Sequence, residues 1–72
     1  MKFTEFNIKE LESIGCENVT PYSGNKGNTY FKIDTKNKNI ILDKYIMKND
    51  KLISIVTLDI KNIDVLIQFL KQ

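Results

Sequence analysis

Two runs of residues, 40–47 and 52–60, are rich in β-branched and other large apolar side chains and are separated by only four polar residues. Side chains of this kind favour β-strands, and a separation this short leaves room only for a tight turn. The runs therefore predict an antiparallel β-hairpin, which is the strongest constraint that the sequence places on the fold.

The length of the turn decides which side chains share a face, because directly opposite residues of a hairpin point to the same side of the sheet. A two-residue turn would pair Leu42 with Thr57 and mix apolar with polar positions. A three-residue turn over residues 49–51 pairs Leu42 with Leu58 and gives one consistent apolar face, so we expect the longer turn. Four apolar side chains then lie together on the opposite face: Tyr45, Met47, Ile53 and Ile55.

A short helix is predicted over residues 7–15. Asn7 is a favoured N-cap residue, and Glu10 three positions later completes a capping-box pattern. Gly15 is expected to end the helix in the left-handed conformation. The helix has one narrow apolar stripe, so we expect it to lie against a larger element. That stripe consists of Ile8, Leu11 and Ile14.

A second helix is predicted after Asn62, which is a suitable N-cap residue. Apolar side chains follow at the spacing of one helical face, as in a helix packed on a core. They are Ile63, Leu66, Ile67 and Leu70. Val65 and Phe69 lie beside this stripe, so the apolar arc of the helix is wider than a core contact requires.

Between the helices, residues 29–34 are predicted as a further strand and residues 23–28 as a loop rich in turn-forming residues. Residues 19–22 are a candidate for one more strand, which Pro21 would restrict to a sheet edge. The predicted order is helix, three or four antiparallel strands, helix (α-β-β-β-α). This order indicates a small two-layer α+β fold, with residues 1–72 forming a single domain.

The chain has 72 residues, one cysteine and no histidine. A single cysteine excludes an internal disulfide, and without histidine there is no Cys/His zinc cluster. A core this small leaves a stability margin of roughly 3–5 kcal/mol, so a partner chain is the remaining means of stabilisation. The unpaired cysteine and an N-terminus without a signal-peptide pattern favour a cytoplasmic location, and no membrane-spanning segment is expected.

The composition argues against catalysis, because the chain contains no histidine and no arginine and its nine carboxylates show no close pair. Cys16 follows Gly15 without a basic partner, so it is expected to be a structural core residue. We therefore expect a non-enzymatic protein with no catalytic residues, no cofactor and no bound metal.

Apolar side chains outside the predicted core suggest binding to another protein, because contiguous exposed apolar patches usually mark interfaces. The alternative is that the sheet twists or bulges and these residues complete the core. The candidate partner-binding residues are Tyr45, Met47, Ile53, Ile55, Val65 and Phe69. The partner is either a foreign protein or a second copy of the chain, which would then be a homodimeric regulatory subunit.

Size and composition suggest a more specific role. Small α+β proteins without catalytic residues, encoded in AT-rich genomes, are common among phage and mobile-element proteins that inhibit host defence. The chain is similar in size and architecture alone to some anti-CRISPR inhibitors of nucleases. Such an inhibitor would act by occupying a partner surface, and the net charge of +2 argues against mimicry of nucleic acid.

Weak nucleic-acid binding is the alternative function. Residues 22–38 carry four lysines and one aspartate, with aromatic residues between them. Lysines can hold phosphates and aromatic rings can stack on bases, but the absence of arginine disfavours specific recognition. The candidate residues are Tyr22, Lys26, Tyr30, Lys32, Lys36 and Lys38.

Overall fold

The computed structural model describes all 72 residues, Met1–Gln72. Its elements are α1 (Glu5–Ser13), β1 (Ser23–Lys26), β2 (Thr29–Asp34), β3 (Asn39–Lys48), β4 (Lys51–Ile60) and α2 (Ile63–Lys71). Every strand pairs antiparallel with its neighbour in the sequence, which gives the sheet order β1-β2-β3-β4. The predicted small α+β fold is confirmed, and its sheet has four strands.

The core lies between one face of the sheet, here called the inner face, and the two helices. Leu11 of α1, Ile40 of β3 and Leu66 of α2 are the most deeply buried side chains, and they belong to one continuous cluster. The rest of the cluster comprises Phe3, Cys16, Phe31, Ile33, Leu42, Ile60, Ile67 and Leu70. Because side chains alternate along a strand, the opposite, outer face carries Tyr30, Lys32, Ile41, Asp43 and Tyr45.

The helix α2 begins as predicted, because the Asn62 side chain accepts a hydrogen bond of 3.0 Å from the Val65 N–H group. Its predicted apolar stripe faces the core and is buried at Leu66, Ile67 and Leu70. Neither helix of this protein is long and apolar enough to cross a membrane.

The helix α1 begins earlier than predicted. Thr4, not Asn7, is the N-cap residue, and Asn7 is the third residue of the helix. The Thr4 hydroxyl accepts from the Asn7 N–H group at 3.1 Å, and the Asn7 side chain accepts from the Thr4 N–H group at 3.0 Å. This reciprocal pair is the capping box that the sequence suggested for Asn7 and Glu10. Gly15 has a φ of +99°, as expected for the residue that ends the helix.

The strand β1 lies inside the segment that was predicted to be a loop, and residues 19–22 form no strand. Both predictions are therefore wrong. β1 can pair here because Gly24 lies directly opposite Phe31, whose ring occupies the space that a side chain at Gly24 would need. A Cβ atom on Gly24 would come within 2.5 Å of the Phe31 Cζ atom. The partner strand thus decides that this turn-like segment is extended.

The turn between β3 and β4 has two residues, Asn49 and Asp50, both in the left-handed region with φ values of 52° and 63°. The predicted three-residue turn over residues 49–51 is therefore wrong. A two-residue turn with both φ angles positive matches the right-handed twist of the strands, and Asn and Asp tolerate that conformation. The predicted pairing of Leu42 with Leu58 is nevertheless confirmed.

A β-bulge reconciles the short turn with this pairing. Lys44 lies opposite Val56, whereas the next residue, Tyr45, lies opposite Ser54. Ile55 is therefore the extra residue on β4. At a bulge, the alternation of side chains between the two faces shifts by one position in the strand that contains the extra residue. In β4 this shift occurs at Ile55, whereas the alternation along β3 is unbroken.

Candidate protein-interaction edge

The strand β4 forms one edge of the sheet and is paired on one side only. Residues 51–57 are all exposed, although most of them are apolar. Between Lys51 and Asp59, residues 52–58 carry no charge, and we call them the uncharged run. An edge strand leaves main-chain N–H and C=O groups unpaired, and natural edges are usually protected by charges, proline or bulges. The uncharged run contains no charge and no proline, so the bulge at Ile55 is its one protective feature.

The opposite edge of the sheet is different. β1 has four residues, and an isolated bridge outside the strands covers part of its free side. The Glu17 N–H group donates to the Asn25 carbonyl at 2.7 Å, and the Asn25 N–H group donates to the Glu17 carbonyl at 3.0 Å. The long, open edge of this sheet is therefore the β4 edge.

The bulge divides the apolar cluster that the sequence predicted. Tyr45 and Met47 lie on the outer face, opposite Ser54 and Leu52. Ile53 instead lies opposite Ile46 on the inner side. The prediction that Tyr45, Met47, Ile53 and Ile55 share one face is therefore wrong, because it assumed a regular β4. Their exposure is a separate matter: Met47, Ile53 and Ile55 are 62%, 42% and 47% exposed, and Tyr45 is half-buried.

On the inner side, the β3–β4 hairpin extends beyond the helices. Ile46, Ile53 and Val56 are exposed there although they continue the line of the core residues. Val65 and Phe69, on the flank of α2, are exposed as well. Phe69 and Val56 line one cleft of about 410 Å³ between the helix and the sheet. The apolar surface of the hairpin thus reaches α2, which brings Val65 and Phe69 to the same side as Ile53.

On the outer face, Tyr30 and Tyr45 form an edge-to-face pair with ring centroids 5.5 Å apart. They line a groove of about 600 Å³ together with Leu52 of β4. The Asp43 carboxylate in this groove accepts a hydrogen bond of 2.7 Å from the Thr57 hydroxyl. Lys32 and Asp43 give the groove charges of both signs. Its apolar side chains continue the β4 surface on this side of the sheet, because Leu52 belongs to both.

The structure separates the residues that were candidates for nucleic-acid binding. Tyr30 and Lys32 do share the outer face of β2. Lys26, however, is partly buried, and its ammonium donates a hydrogen bond of 2.6 Å to the main-chain carbonyl of Leu70. The remaining members lie in connections outside the strands: Tyr22, Lys36 and Lys38. Of the six residues, the outer face of β2 thus brings together Tyr30 and Lys32, and Lys26 is engaged within the fold.

Cys16 is buried in the core cluster, which agrees with the structural role expected of it. Burial raises the pKa of the Cys16 thiol, and the nearby Lys26 ammonium opposes this shift in part. A thiol with a raised pKa is a weak nucleophile at neutral pH. No three His, Cys, Asp or Glu side chains come together in a group that could hold a metal ion.

Sequence reasoning missed three exposed apolar residues of the hairpin, namely Ile46, Leu52 and Val56. A signal for them was present. A strand covered on one face alternates apolar and polar residues, whereas the uncharged run is apolar at both odd and even positions. This pattern is typical of a strand covered on both faces, so its exposure in the structure is the notable feature of β4.

No protein-family model matches the chain, no curated protein is similar enough in sequence to count as a relative, and no solved structure matches its fold.

Proposed function

We propose that this chain is a non-enzymatic protein-binding module and that the β4 edge is its contact surface. The observation that carries the proposal is an edge strand of ten residues whose first seven residues are all exposed and mostly apolar. A partner strand that pairs with β4 would satisfy its free main-chain groups and cover its side chains in one step.

Two kinds of contact support the proposal. Each main-chain hydrogen bond contributes only about 0.5–1.5 kcal/mol net, so a strand addition by itself supplies only part of the binding free energy. Apolar side chains on both sides of β4 supply the rest, because burying apolar area contributes roughly 25 cal/mol per Å². Leu52 lies on the outer face and Ile53 on the inner side, so a partner that wraps the edge contacts both.

A small inhibitor that covers a partner's surface would use the edge in this way. The lysines that flank the hairpin turn, Lys48 and Lys51, are exposed beside the apolar residues. Charges at the rim of an interface orient the encounter more than they add affinity. We therefore assign affinity to the uncharged run and orientation to these lysines.

The experiment is capture of proteins by the immobilised chain from a lysate to which a differently tagged copy of the chain has been added. The test variant is Ile55→Glu, at the bulge of β4. Phe6→Glu is the matched control, because Phe6 is 73% exposed on α1, away from the β4 edge. Both variants are expected to keep the circular dichroism spectrum of the wild type and, at a concentration too low for self-association, its melting temperature.

We expect a protein, foreign or the tagged copy, that wild type and Phe6→Glu retain and that Ile55→Glu loses. A set of captured proteins that is the same for all three chains would overturn the proposal. If Ile55→Glu does not fold, Leu52→Glu replaces it, since Leu52 is 47% exposed and lies outside the bulge.

A further inference from the structure

We infer that the partner of the β4 edge is a second copy of this chain, paired antiparallel with β4 about a two-fold axis. Two four-stranded sheets would then form one continuous sheet of eight strands. This inference rests on the proposed function and names the occupant of the same surface. Two-fold pairing of one patch with itself is the commonest geometry of protein dimers.

The charges at the ends of β4 select the antiparallel orientation. The strand carries Lys51 at its start and Asp59 near its end, with the uncharged run between them. An antiparallel second copy brings the basic end of each strand beside the acidic end of the other. A parallel copy in register would place Lys51 beside Lys51 and Asp59 beside Asp59, which is unfavourable because like charges directly opposite each other destabilise a sheet.

The bulge limits the register of this pairing. Directly opposite residues must share a face. Because of the bulge at Ile55, odd-numbered residues before it point to the same face as even-numbered residues after it. Two symmetric registers in which every residue of the uncharged run is paired meet this condition. One pairs Ile53 with Val56 of the second copy, and the other pairs Ile53 with Leu58.

Charge decides between the two registers. The first would bring Asp59 beside Asp50, the turn residue that precedes β4 in the second copy, which is a contact between like charges. The second places Asp50 opposite Lys61, a contact between unlike charges, and leaves Asp59 opposite Leu52. We therefore assign the second register, with the two-fold axis between Ile55 and Val56.

The pairs nearest the centre of this register are compatible on both faces. On the inner side, Ile53 lies opposite Leu58 of the second copy, and both are apolar. On the outer face, Ser54 lies opposite Thr57, a pairing in which hydroxyl groups can hydrogen-bond across the strands. Ile55, the extra residue, lies next to the two-fold axis in both strands, opposite Val56 of the other copy. Because both strands have their extra residue at this place, the same pairing rule holds on the two sides of the axis.

Two contacts in this register place a charge opposite an apolar residue, Leu52 with Asp59 and Lys51 with Ile60 of the second copy. The test uses the first of them. Leu52→Glu puts two carboxylates together at both ends of the dimer, whereas Leu52→Lys loses the same apolar area and creates unlike pairs. The dissociation constant of the dimer is measured by sedimentation over a concentration series. We expect Leu52→Glu to raise it about tenfold relative to Leu52→Lys.

The charge swap Leu52→Glu with Asp59→Lys is expected to restore the dimer to within about threefold of Leu52→Lys, since it recreates an unlike pair at the same place. Circular dichroism and thermal melting identify any variant that is unfolded, and for such a variant Leu52→Gln and Leu52→Asp replace the pair.

A wild-type chain that stays monomeric throughout the series overturns the inference. So does equal weakening by Leu52→Glu and Leu52→Lys, or a charge swap that fails to restore the dimer, because either result would place Leu52 opposite something other than Asp59. A strict monomer that still loses a captured foreign protein on Ile55→Glu would overturn the self-pairing and leave the proposed function in place.

Discussion

The Lys26 ammonium donates a hydrogen bond to the main-chain carbonyl of Leu70 across 44 positions of sequence. Lys26 ends β1, and Leu70 lies in the last turn of α2, where carbonyl groups have no partner inside the helix. The contact therefore caps the C-terminal helix with a positive charge at its negative end. It also explains why a lysine that looked suited to binding phosphate has a structural role.

Replacing Lys26 with methionine is expected to lower the free energy of unfolding by about 1–2 kcal/mol, because the carbonyl loses a charged donor in a partly buried place. In a domain of this size that corresponds to roughly 4–16 °C in melting temperature. Lys9→Met, at an exposed position of α1, is the control and should change little. Thermal unfolding of both variants measures the effect, and equal melting temperatures would contradict the assigned contact.

Gly24→Ala is expected to destabilise the fold by about 1–3 kcal/mol through overpacking. The added methyl group would lie 2.5 Å from the Phe31 ring, which Phe3 holds by an edge-to-face contact with centroids 5.7 Å apart. Urea unfolding gives the loss. A double-mutant cycle tests the cause: in a Phe31→Leu background, Gly24→Ala should cost less, and a cost that is unchanged would mean that the ring is not the obstacle.

Asp50→Gly is expected to raise the free energy of unfolding by about 0.5–1 kcal/mol, because Asp50 has a φ of 63° and glycine adopts that conformation without the steric cost. Asn49-Gly would then be the preferred sequence for this two-residue turn. Thermal unfolding at a protein concentration too low for self-association measures the change in the monomer. A loss of stability would indicate that the Asp50 carboxylate has a role in the fold beyond the turn.

The Asp34 carboxylate accepts hydrogen bonds from the Asn37 side chain at 2.8 Å and from the main-chain N–H groups of Asn37 and Lys36. These bonds, the Asn37 side chain foremost, lower the pKa of Asp34. A lowered pKa in the folded state means stability that is present above the unfolded pKa and is lost as the pH falls through the folded value. The contribution is therefore complete at neutral pH, begins to fall near the unfolded pKa of about 4, and is lost below the lowered folded pKa.

Asn37→Ala should raise the pKa of Asp34, as read from the pH dependence of its carboxyl carbon signal. The difference in melting temperature between this variant and the wild type should be largest at neutral pH and shrink in acid. Lys36→Ala keeps its main-chain donor to Asp34 and is the control. An Asp34 titration that is the same in all three chains would show that Asn37 does not hold the carboxylate.

The parts of the fold that the sequence predicted well depend on local interactions. The strand β2 has the predicted limits, and α2 begins at the predicted cap, Asn62. The strand β1 could not be predicted, because its conformation depends on a contact between residues that are apart in the sequence, Gly24 and the Phe31 ring. Local turn propensity favoured the wrong answer there.

The hairpin shows the same limit at the candidate site. Only the end away from the turn pairs as predicted, with Leu42 opposite Leu58. Ile53 and Ile55 are exposed, but the face that they occupy depends on one extra residue in β4. A longer turn and a short turn with a bulge both satisfy the pairing of Leu42 with Leu58. Only the backbone preference of Asn49 and Asp50 for a tight left-handed turn separates them, and the apolar pattern does not report it.

The meander order of the sheet has a consequence for how the molecule folds. Each strand pairing joins neighbours through a short connection, so no pairing has to wait for a distant segment, and low contact order favours fast folding. The helices come from the two ends of the chain and pack on the inner face of the sheet, which completes the core. Because the tip of the β3–β4 hairpin is exposed and gains nothing from that packing, it is expected to open first in hydrogen exchange.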